Sequence, residues 1–279
     1  MITFPCCKIN LGLNVIAKRP DGYHDIETVF YPIPLCDALD VKMMDERFPS
    51  DVPCDLLVKP ETLCPEQDNL VVKAYNLLAS HYELPRVHAH LLKRIPSQAG
   101  LGGGSSDAAA MIRLLDERFR LNMGIAQMES YAAQLGADCA FFITGEPSFA
   151  TGIGDILAPI DCEDAPLEGY HIALVKPDVA VSTGKAYAAI TPQRPAECCR
   201  DIVQQPIETW RDRLTNDFEA PVFSMHPELG QIKQRLYDLG AVFALMSGSG
   251  STLFGIFRDA PQGIPEAFPG CFTAVMKFN

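Results

Sequence analysis

The sequence is short of basic residues and contains no long apolar run. Lysine and arginine together number 23, against 35 aspartate and glutamate residues, and the formal net charge is −12. Nucleic acids and anionic membranes both require a basic surface, so this balance argues against either as a partner. Nowhere do about 18 apolar residues follow one another, so we expect no membrane span. The segment 1–8 lacks the basic and apolar regions of a signal peptide, and we expect a cytoplasmic protein.

The cysteines also lack a functional spacing. Ten are present, but no two of them form a C-x-x-C pair. This excludes the zinc and dithiol redox sites that depend on that motif. The adjacent pairs Cys6-Cys7 and Cys198-Cys199 and the scattered single cysteines are typical of small buried side chains in a reducing compartment. We expect structural thiols.

Strand and helix patterns alternate in both halves of the chain, which predicts a two-domain protein of the α+β or α/β class. Residues 8–15 alternate polar and apolar side chains, which predicts a strand with Lys8 and Asn10 on one face. Further strands are predicted at 26–33, 87–91, 149–160, 171–175, 242–246, 252–257 and 272–277. Helices are predicted at 69–82, 105–120, 125–135, 184–190, 217–224 and 228–239, with a short helix between the last two strands. An acidic, proline-containing segment at 161–169 places the boundary between domains 1–160 and 161–279.

The most informative segment is a glycine-rich loop, 95–107, that leads into an alanine-rich helix. Glycines allow a backbone to approach a bulky anion closely, and a helix start offers free N–H groups and a positive dipole end. This arrangement suits a nucleotide triphosphate. The letters do not fit a Walker A loop, which needs a lysine after its glycines, nor the G-x-G-x-x-G or G-x-S-x-G motifs. A flexible surface loop is the alternative interpretation.

A second glycine loop, Ser247 to Ser251, lies between two predicted strands. Taken alone, it fits a tight turn as well as it fits an anion site. Two glycine loops, one in each half of the chain, favour a phosphate-binding cleft.

Several motifs, in the same order along the chain, carry a family resemblance. The loop Gly-Leu-Gly-Gly-Gly-Ser-Ser-Asp-Ala-Ala resembles the phosphate loop of the GHMP kinases, in the form found in the 4-diphosphocytidyl-2-C-methyl-D-erythritol kinases of the non-mevalonate isoprenoid pathway. The other matching segments are 8–13, 19–24, 68–74, 136–142, 151–157, 216–219 and 246–251. Two departures occur. Gln98 and the preceding Ser97 stand where the family often has Met and Gly, and Cys139-Ala140 replaces a more usual Val-Pro.

The resemblance implies a fold and an activity. The fold would be the α+β two-domain GHMP kinase fold, with an N-terminal domain like the second domain of ribosomal protein S5 and a ferredoxin-like C-terminal domain. The activity that it implies is transfer of the γ-phosphoryl of ATP to the 2-hydroxyl of 4-diphosphocytidyl-2-C-methyl-D-erythritol. No nucleic acid or membrane partner is expected, and the protein would be a monomer or a homodimer. Mg²⁺ would accompany ATP, held mainly by phosphates and water, and its protein ligands stay unknown.

The resemblance also assigns roles to residues. Asp138 would be the general base, and Lys8 would pair with it and orient the substrate hydroxyl; a buried structural ion pair is the alternative for these two. Asn10 would be a second substrate contact, or else a solvent-facing strand residue. The other substrate residues implied are Tyr23, His24, Thr183, Tyr187, Gly248, Ser249 and Gly250, the aromatic ones around a cytosine. The ATP residues implied are Asp68 and Asn69 on the adenine side, and Pro96, Gly100, Leu101, Gly102, Gly103, Gly104, Ser105 and Ser106 around the phosphates.

Two other functions stay open. The chain could be a GHMP kinase for another alcohol, such as homoserine or phosphomevalonate, for which an aromatic base pocket would be unnecessary. It could also be a nucleotide-binding regulator without catalysis. That second reading expects a missing base or lysine, whereas Asp138 and Lys8 are both present.

Overall fold

The computed structural model describes residues 1–49, 51–61, 64–160 and 167–278. They form two compact units, each assembled from separate stretches of chain. Unit 1 comprises Met1–Cys7, Leu35–Ser97 and Gly102–Glu146, and unit 2 comprises Lys8–Pro34, Gln98–Leu101 and Pro147–Asn279. The predicted domain boundary at 160/161 adjoins residues 161–166, which lie outside the described residues, and it stays a prediction.

The elements are as follows. The strands are β1 (Ile2–Thr3), β2 (Cys6–Lys18), β3 (His24–Cys36), β4 (Ala38–Met43), β5 (Cys54–Lys59), β6 (Val87–Leu92), β7 (Ser148–Thr151), β8 (Ile156–Pro159), β9 (His171–Lys176), β10 (Phe243–Met246), β11 (Leu253–Phe257) and β12 (Phe272–Lys277). The helices are α1 (Leu70–Ala79), α2 (Gly103–Phe119), α3 (Ile125–Leu135), α4 (Phe141–Thr144), α5 (Thr183–Ala188), α6 (Cys199–Val203), α7 (Glu219–Met225), α8 (Pro227–Asp238) and α9 (Ile264–Ala267).

Unit 1 is built around a sheet with strand order β1-β4-β6-β5. β4 runs antiparallel to β1 and β6, whereas β5 runs parallel to β6. Leu39, Val41, Ala89 and Leu91 alternate along β4 and β6 with more exposed neighbours and are buried. Helix α1 packs on β5 and α2 packs on β4. The helical face of the sheet therefore forms the core of this unit.

Unit 2 contains two sheets, with strand orders β2-β3-β7-β8 and β10-β11-β9-β12. In the second sheet, β9, helices, the hairpin β10–β11, α9 and β12 follow one another, and all its pairings are antiparallel. This is the ferredoxin-like order, so that prediction is confirmed. Buried apolar side chains from the helices and strands of this sheet form one cluster, among them Phe218, Leu229, Leu236, Met246 and Phe257.

Most of the predicted elements are confirmed, and five of those in the described residues were missed. The missed elements are β1, β4, β5, α4 and α6. Several boundaries differ by a few residues, and the one that bears on the site is that of α2. This helix begins at Gly103 rather than at Ser105, so two of the loop glycines lie in its first turn. None of the helices in the described ranges combines the length and the apolarity that a membrane crossing requires.

The polar face of β2 is the main departure from expectation. Lys8, Asn10 and Asn14 are only 3%, 1% and 4% exposed, although they alternate with buried apolar residues as predicted. The solvent-facing interpretation of Asn10 is therefore wrong. Because buried polar groups are costly without hydrogen-bond partners, this face must be matched by polar neighbours.

Candidate active site

Lys8 and Asn10 form a buried hydrogen-bonded pair in unit 2. The Lys8 ammonium donates to Asn10 Oδ1 over 2.6 Å, and Asn10 Nδ2 donates to Thr28 Oγ1 over 2.8 Å. The Thr28 hydroxyl donates in turn to the Gly12 carbonyl over 2.5 Å. Since its one proton is used there, Thr28 accepts from Asn10, and this fixes the amide with its oxygen toward Lys8. The amide of Asn10 thus holds the ammonium in one position.

Both glycine loops reach β2 beside this pair. The backbone N–H of Lys8 donates to the Leu101 carbonyl over 3.0 Å. Gly100 has a φ of +75°, and a Cβ on it would lie 2.1 Å from the Ser247 carbonyl oxygen. A Cβ on Gly248 would lie 3.3 Å from the Cα of Gly100 and 3.5 Å from Asn10 Oδ1. The backbones approach so closely that only glycine fits at position 100.

The second glycine loop is the turn of the β10–β11 hairpin, and a buried asparagine shapes it. Asn216 Nδ2 donates to the carbonyls of Met246 (2.7 Å) and Gly248 (2.8 Å), and its Oδ1 accepts from the N–H of Phe218 (2.9 Å). The Glu219 carboxylate accepts from the N–H of Met246 over 2.9 Å. The matched segment 216–219 therefore has a structural role that was not assigned from the sequence. In the sequence, this segment is recognisable as three polar residues around one phenylalanine. The polar side chains, Asn216, Asp217 and Glu219, are buried or half-buried in the structure.

A cavity of about 550 Å³ lies in unit 2 beside these loops. Four residues assigned from the sequence line it, namely Gly100, Thr183, Ser249 and Gly250, together with Gln98, Ala180, Val181 and Ser182. The hydroxyls of Thr183 and Ser249 are 2.8 Å apart and hydrogen-bonded. The volume falls in the range of small-molecule sites. The lining offers hydroxyls and glycine backbone, a donor set that suits an oxygen-rich anionic ligand.

The three aromatic residues that were expected around a base, Tyr23, His24 and Tyr187, do not all face one another. His24 stacks directly on Tyr187, with ring centroids 4.7 Å apart and planes 15° from parallel. Tyr23 leaves 61% of its surface exposed. Neighbouring side chains point in opposite directions on an extended chain, so Tyr23 and His24 cannot both face Tyr187. Tyr23 keeps a large surface that a ligand ring could cover.

In unit 1, the first turn of α2 has no side-chain cap among the described residues. Gly102 precedes the helix in the left-handed conformation, φ +69°. The first N–H groups of a helix have no partner within it, and they lie at its positive end. Among the described residues, only the Leu70 side chain would lie within 4 Å of a Cβ on Gly104, so this position is open.

Asp138 lies in the same unit, on the turn between α3 and α4. The thiol of the next residue, Cys139, is hydrogen-bonded to Ser105 in the first turn of α2, and burial raises its pKa to about 11. Unit 1 thus brings the Asp138 turn next to the helix start assigned to phosphates. The pairing of Asp138 with Lys8 stays a prediction.

The remaining assigned residues have visible structural roles. Asn69 caps α1, because its Oδ1 accepts from the N–H of Val71 over 3.0 Å. Asp68 pairs with Lys73 at 3.6 Å, an exposed contact. Ser106 donates its hydroxyl to the Cys6 carbonyl over 2.6 Å, and Pro96 is half-buried at the loop entry. Gln98 has a φ of +51°, so this departure from the family pattern places a side chain where glycine is favoured.

Comparison with known proteins decides the family. The model for the GHMP kinases N terminal domain matches residues 69–146, and the model for GHMP kinases C terminal matches residues 200–272. The chain is 51% identical to a 4-diphosphocytidyl-2-C-methyl-D-erythritol kinase of Bacteroides fragilis, covering 99% of this chain and 100% of that one. It is 47% identical to the Parabacteroides distasonis kinase of the same name, covering 98% and 97%.

The chain belongs to the GHMP kinase family. It has the two-domain α+β fold of these kinases and is an enzyme that uses ATP to phosphorylate a small molecule. A crystal structure of 4-(cytidine 5'-diphospho)-2C-methyl-D-erythritol kinase superimposes with a TM-score of 0.82 and 29% identity, covering 100% of both chains. The mevalonate kinase of Methanococcus jannaschii shares the fold, with a TM-score of 0.74 and 11% identity over 100% of this chain and 98% of that one.

The kinase carries a buried ion cluster at helix α2. The Lys93 ammonium pairs with Asp37 and, over 2.6 Å, with Asp107 of α2. The other oxygen of Asp37 accepts from the N–H groups of Arg94 and Ile95. Burial raises the pKa of Asp107 to about 7, against the opposing attraction of Lys93. Its Oδ1 has no hydrogen-bond partner among the described residues.

We expect this cluster to make the stability of the kinase depend on pH. Folded Asp107 keeps its proton up to about pH 7, whereas a carboxyl in the unfolded chain loses it near pH 4. Unfolding between these values releases a proton, so the contribution of Asp107 to stability falls as the pH rises and is least favourable above pH 7. Urea titrations of Asp107→Asn and wild type at pH 5 and pH 8 test this. The free energy of unfolding of the variant, relative to that of wild type, should be higher at pH 8 than at pH 5. The same difference at both pH values would contradict the prediction.

Proposed function

We propose that the kinase transfers the γ-phosphoryl of ATP to the 2-hydroxyl of 4-diphosphocytidyl-2-C-methyl-D-erythritol, giving the 2-phosphate and ADP, in the non-mevalonate pathway to isoprenoid precursors. The observation that carries the proposal is the likeness, over nearly the whole chain, to kinases of that name. The buried Lys8–Asn10 pair, where both glycine loops reach β2, supports the same conclusion.

The proposed roles follow from the chemistry of phosphoryl transfer, which depends on positioning and charge stabilisation. Asp138 accepts the proton of the attacking hydroxyl as general base. Lys8 donates a hydrogen bond to the same hydroxyl oxygen and to the transferring phosphoryl, which collects negative charge. Asn10 fixes the ammonium through the 2.6 Å bond and contacts the substrate. Because Lys8 and Asn10 are both buried, water is excluded from the neighbourhood of the ammonium.

The phosphates of ATP are proposed to bind at the start of α2, from Gly102 to Ser106, with Pro96, Gly100 and Leu101 completing the loop. Backbone N–H groups and a helix end suit a triphosphate. They do not form a carboxylate site for a cation, and no group of three or more His, Cys, Asp or Glu in the described ranges could hold one. This donor set fits Mg²⁺ that is held chiefly by the phosphates and water, where it would neutralise phosphate charge. Asp68 and Asn69 are proposed on the adenine side.

The cytidyl end of the substrate is proposed to bind in unit 2. The His24–Tyr187 stack offers an aromatic face and ring nitrogens for a base. Tyr23, whose ring is exposed, is proposed as a further substrate contact. The cavity with the Thr183–Ser249 hydroxyl pair and the backbone of Gly248 and Gly250 suits the diphosphate. A substrate without a base would leave these rings unused.

A coupled ADP-release assay with Mg-ATP tests the proposal. 4-Diphosphocytidyl-2-C-methyl-D-erythritol, methylerythritol phosphate, homoserine and phosphomevalonate are offered separately. We expect turnover with the cytidyl substrate alone. Turnover with another alcohol would overturn the substrate assignment, and ATP binding without turnover would favour a regulator.

Two variants refine the same assay. Tyr187→Leu should raise the KM for the cytidyl substrate about tenfold or more, since loss of stacking on a base costs about 1–3 kcal/mol. Tyr187→Phe keeps the ring and is the matched control, with a KM close to that of wild type. An equal change in both variants would argue against a stacked base.

Two further features complete the proposal. Both substrates are strongly anionic small molecules that do not cross membranes unaided, so we place the enzyme in the cytoplasm. We propose a monomer or a homodimer, which sedimentation of the purified chain would decide.

A further inference from the structure

Ser247, the first residue of the second glycine loop, contacts both the first glycine loop and the Lys8 strand, and no role was assigned to it from the sequence. It is fully buried. Its hydroxyl donates to the Gly100 carbonyl over 2.8 Å and accepts from the backbone N–H of Asn10 over 3.3 Å. Asn10 Oδ1 lies 3.5 Å from the same oxygen, too far for a strong bond, so the proton of Ser247 goes to Gly100.

This hydroxyl completes a chain of contacts that ends at the ammonium. Ser247 fixes the backbone of Asn10, the Asn10 amide holds Lys8, and Thr28 fixes the orientation of that amide. On its other side, Ser247 fixes Gly100, whose neighbour Leu101 accepts from the Lys8 backbone. The Lys8 residue is therefore held from its side chain and from its main chain by elements that meet at one hydroxyl.

We infer that Ser247 is a positioning residue for the reaction, which acts through Asn10 to hold the Lys8 ammonium where phosphoryl transfer requires it. The inference rests on the role proposed for Lys8. Removal of the hydroxyl leaves the Asn10 N–H and the Gly100 carbonyl without this partner and lets β2 and the first glycine loop shift. A displacement of about 1 Å at a reacting group can lower a rate by about 10²-fold.

Three variants separate positioning from packing. Ser247→Ala should lower kcat by about 10- to 100-fold, with the KM for ATP changed less than about threefold. Ser247→Cys fills the same volume with a weak donor, so it should recover stability but not kcat. Ser251 is an equally buried serine of the same loop, and its hydroxyl donates to the Val179 carbonyl over 2.7 Å. Ser251→Ala is thus the matched control, with a similar loss of thermal stability and most of kcat retained. Full recovery of kcat in Ser247→Cys, or an equal loss in Ser251→Ala, would overturn the inference.

A double-mutant cycle tests whether the effect passes through Lys8. In a Lys8→Met background, Ser247→Ala should lower the remaining kcat less than about twofold, because the group that it positions is absent. A full 10- to 100-fold loss in that background would show that Ser247 acts by another route.

An activity-independent measurement keeps this inference separable from the proposed function. In a spectrum of ¹⁵N-labelled lysine side chains, the ammonium signal missing from Lys8→Arg identifies Lys8. That signal should broaden or vanish in Ser247→Ala and persist in Ser251→Ala. If wild type fails to turn over the cytidyl substrate, the proposed function falls while this spectrum still decides the inference; an unchanged Lys8 signal in Ser247→Ala would overturn it.

Discussion

Gly100→Ala should lower kcat/KM by about 10² or more, the effect expected when a reacting group moves by about 1 Å. The added Cβ would lie 2.1 Å from the Ser247 carbonyl oxygen, a backbone atom that cannot rotate away. The first glycine loop, the second one or both must therefore move. Because both loops contact β2, the strand that contains Lys8, this movement should displace Lys8. Steady-state kinetics with both substrates measure the change.

Gly240 provides the control for backbone strain. Its φ of +98° is as unfavourable for alanine as that of Gly100, but no atom of the described part of the chain lies within 4 Å of a Cβ there. Gly240→Ala should lose about 1–2 kcal/mol of stability, the cost of the left-handed conformation, and keep wild-type kinetics. Similar kinetics in the two variants would show that the close approach at Gly100 has no bearing on activity.

Asp138→Asn is expected to lower kcat by about 10² or more, because asparagine keeps the size of the side chain and cannot accept the hydroxyl proton. The KM for ATP should change little, since the phosphates are proposed to bind backbone groups of the loop and of α2. A coupled assay gives kcat, and binding of a fluorescent ATP analogue gives the nucleotide affinity separately.

A second carboxylate serves as the comparison for Asp138. Asp259 is exposed and lies outside every proposed contact, so Asp259→Asn removes the same charge without a functional group. It should retain wild-type kcat. If Asp138→Asn also kept kcat within about fivefold, general-base catalysis by Asp138 would be excluded.

The local sequence pattern was sufficient to predict the bounds of elements that have a glycine at each end. The glycines at 124 and 136 bound α3, which therefore begins and ends as predicted at 125 and 135. By contrast, glycine disfavours helices, so Gly103 and Gly104 were assigned to the loop, yet both begin α2. Ile95 packs so tightly against Gly103 that a Cβ there would lie 2.8 Å from it. Tertiary packing outweighed propensity at this point.

Strand pairing required information that the local sequence does not contain. β4 alternates Leu39 and Val41 with polar neighbours, a signal that was present and overlooked. The parallel pairing of β5 with β6 depends on contacts about 30 residues apart, such as Cys54 with Val87. A pattern of apolar residues predicts a strand but does not indicate which other strand it pairs with in the sheet.

The same distinction applies to the candidate site. The two-residue alternation of polar and apolar side chains placed Lys8 and Asn10 on one face of the strand. The structure adds the 2.6 Å hydrogen bond from the Lys8 ammonium to Asn10 Oδ1. Ser247 and Asn216 were missed because their partners are remote: Asn10 is 237 positions from Ser247, and Gly248 is 32 positions from Asn216. Polar residues in a glycine loop or after a turn are usually solvated, so only their burial distinguishes them.

The interleaving of the two units has a consequence for synthesis on the ribosome. Unit 1 is complete at Glu146, whereas the strand that carries Lys8 waits for partners from the last part of the chain. At about 5–20 residues per second, the 237 residues between Asn10 and Ser247 take roughly 10–50 s to translate. During that time β2 can pair with β3, but its other side, which bonds residues 215 and 217 in the folded chain, is unpaired and prone to association with other chains. The strand of Lys8 is thus among the first to leave the ribosome and among the last to reach its final partners.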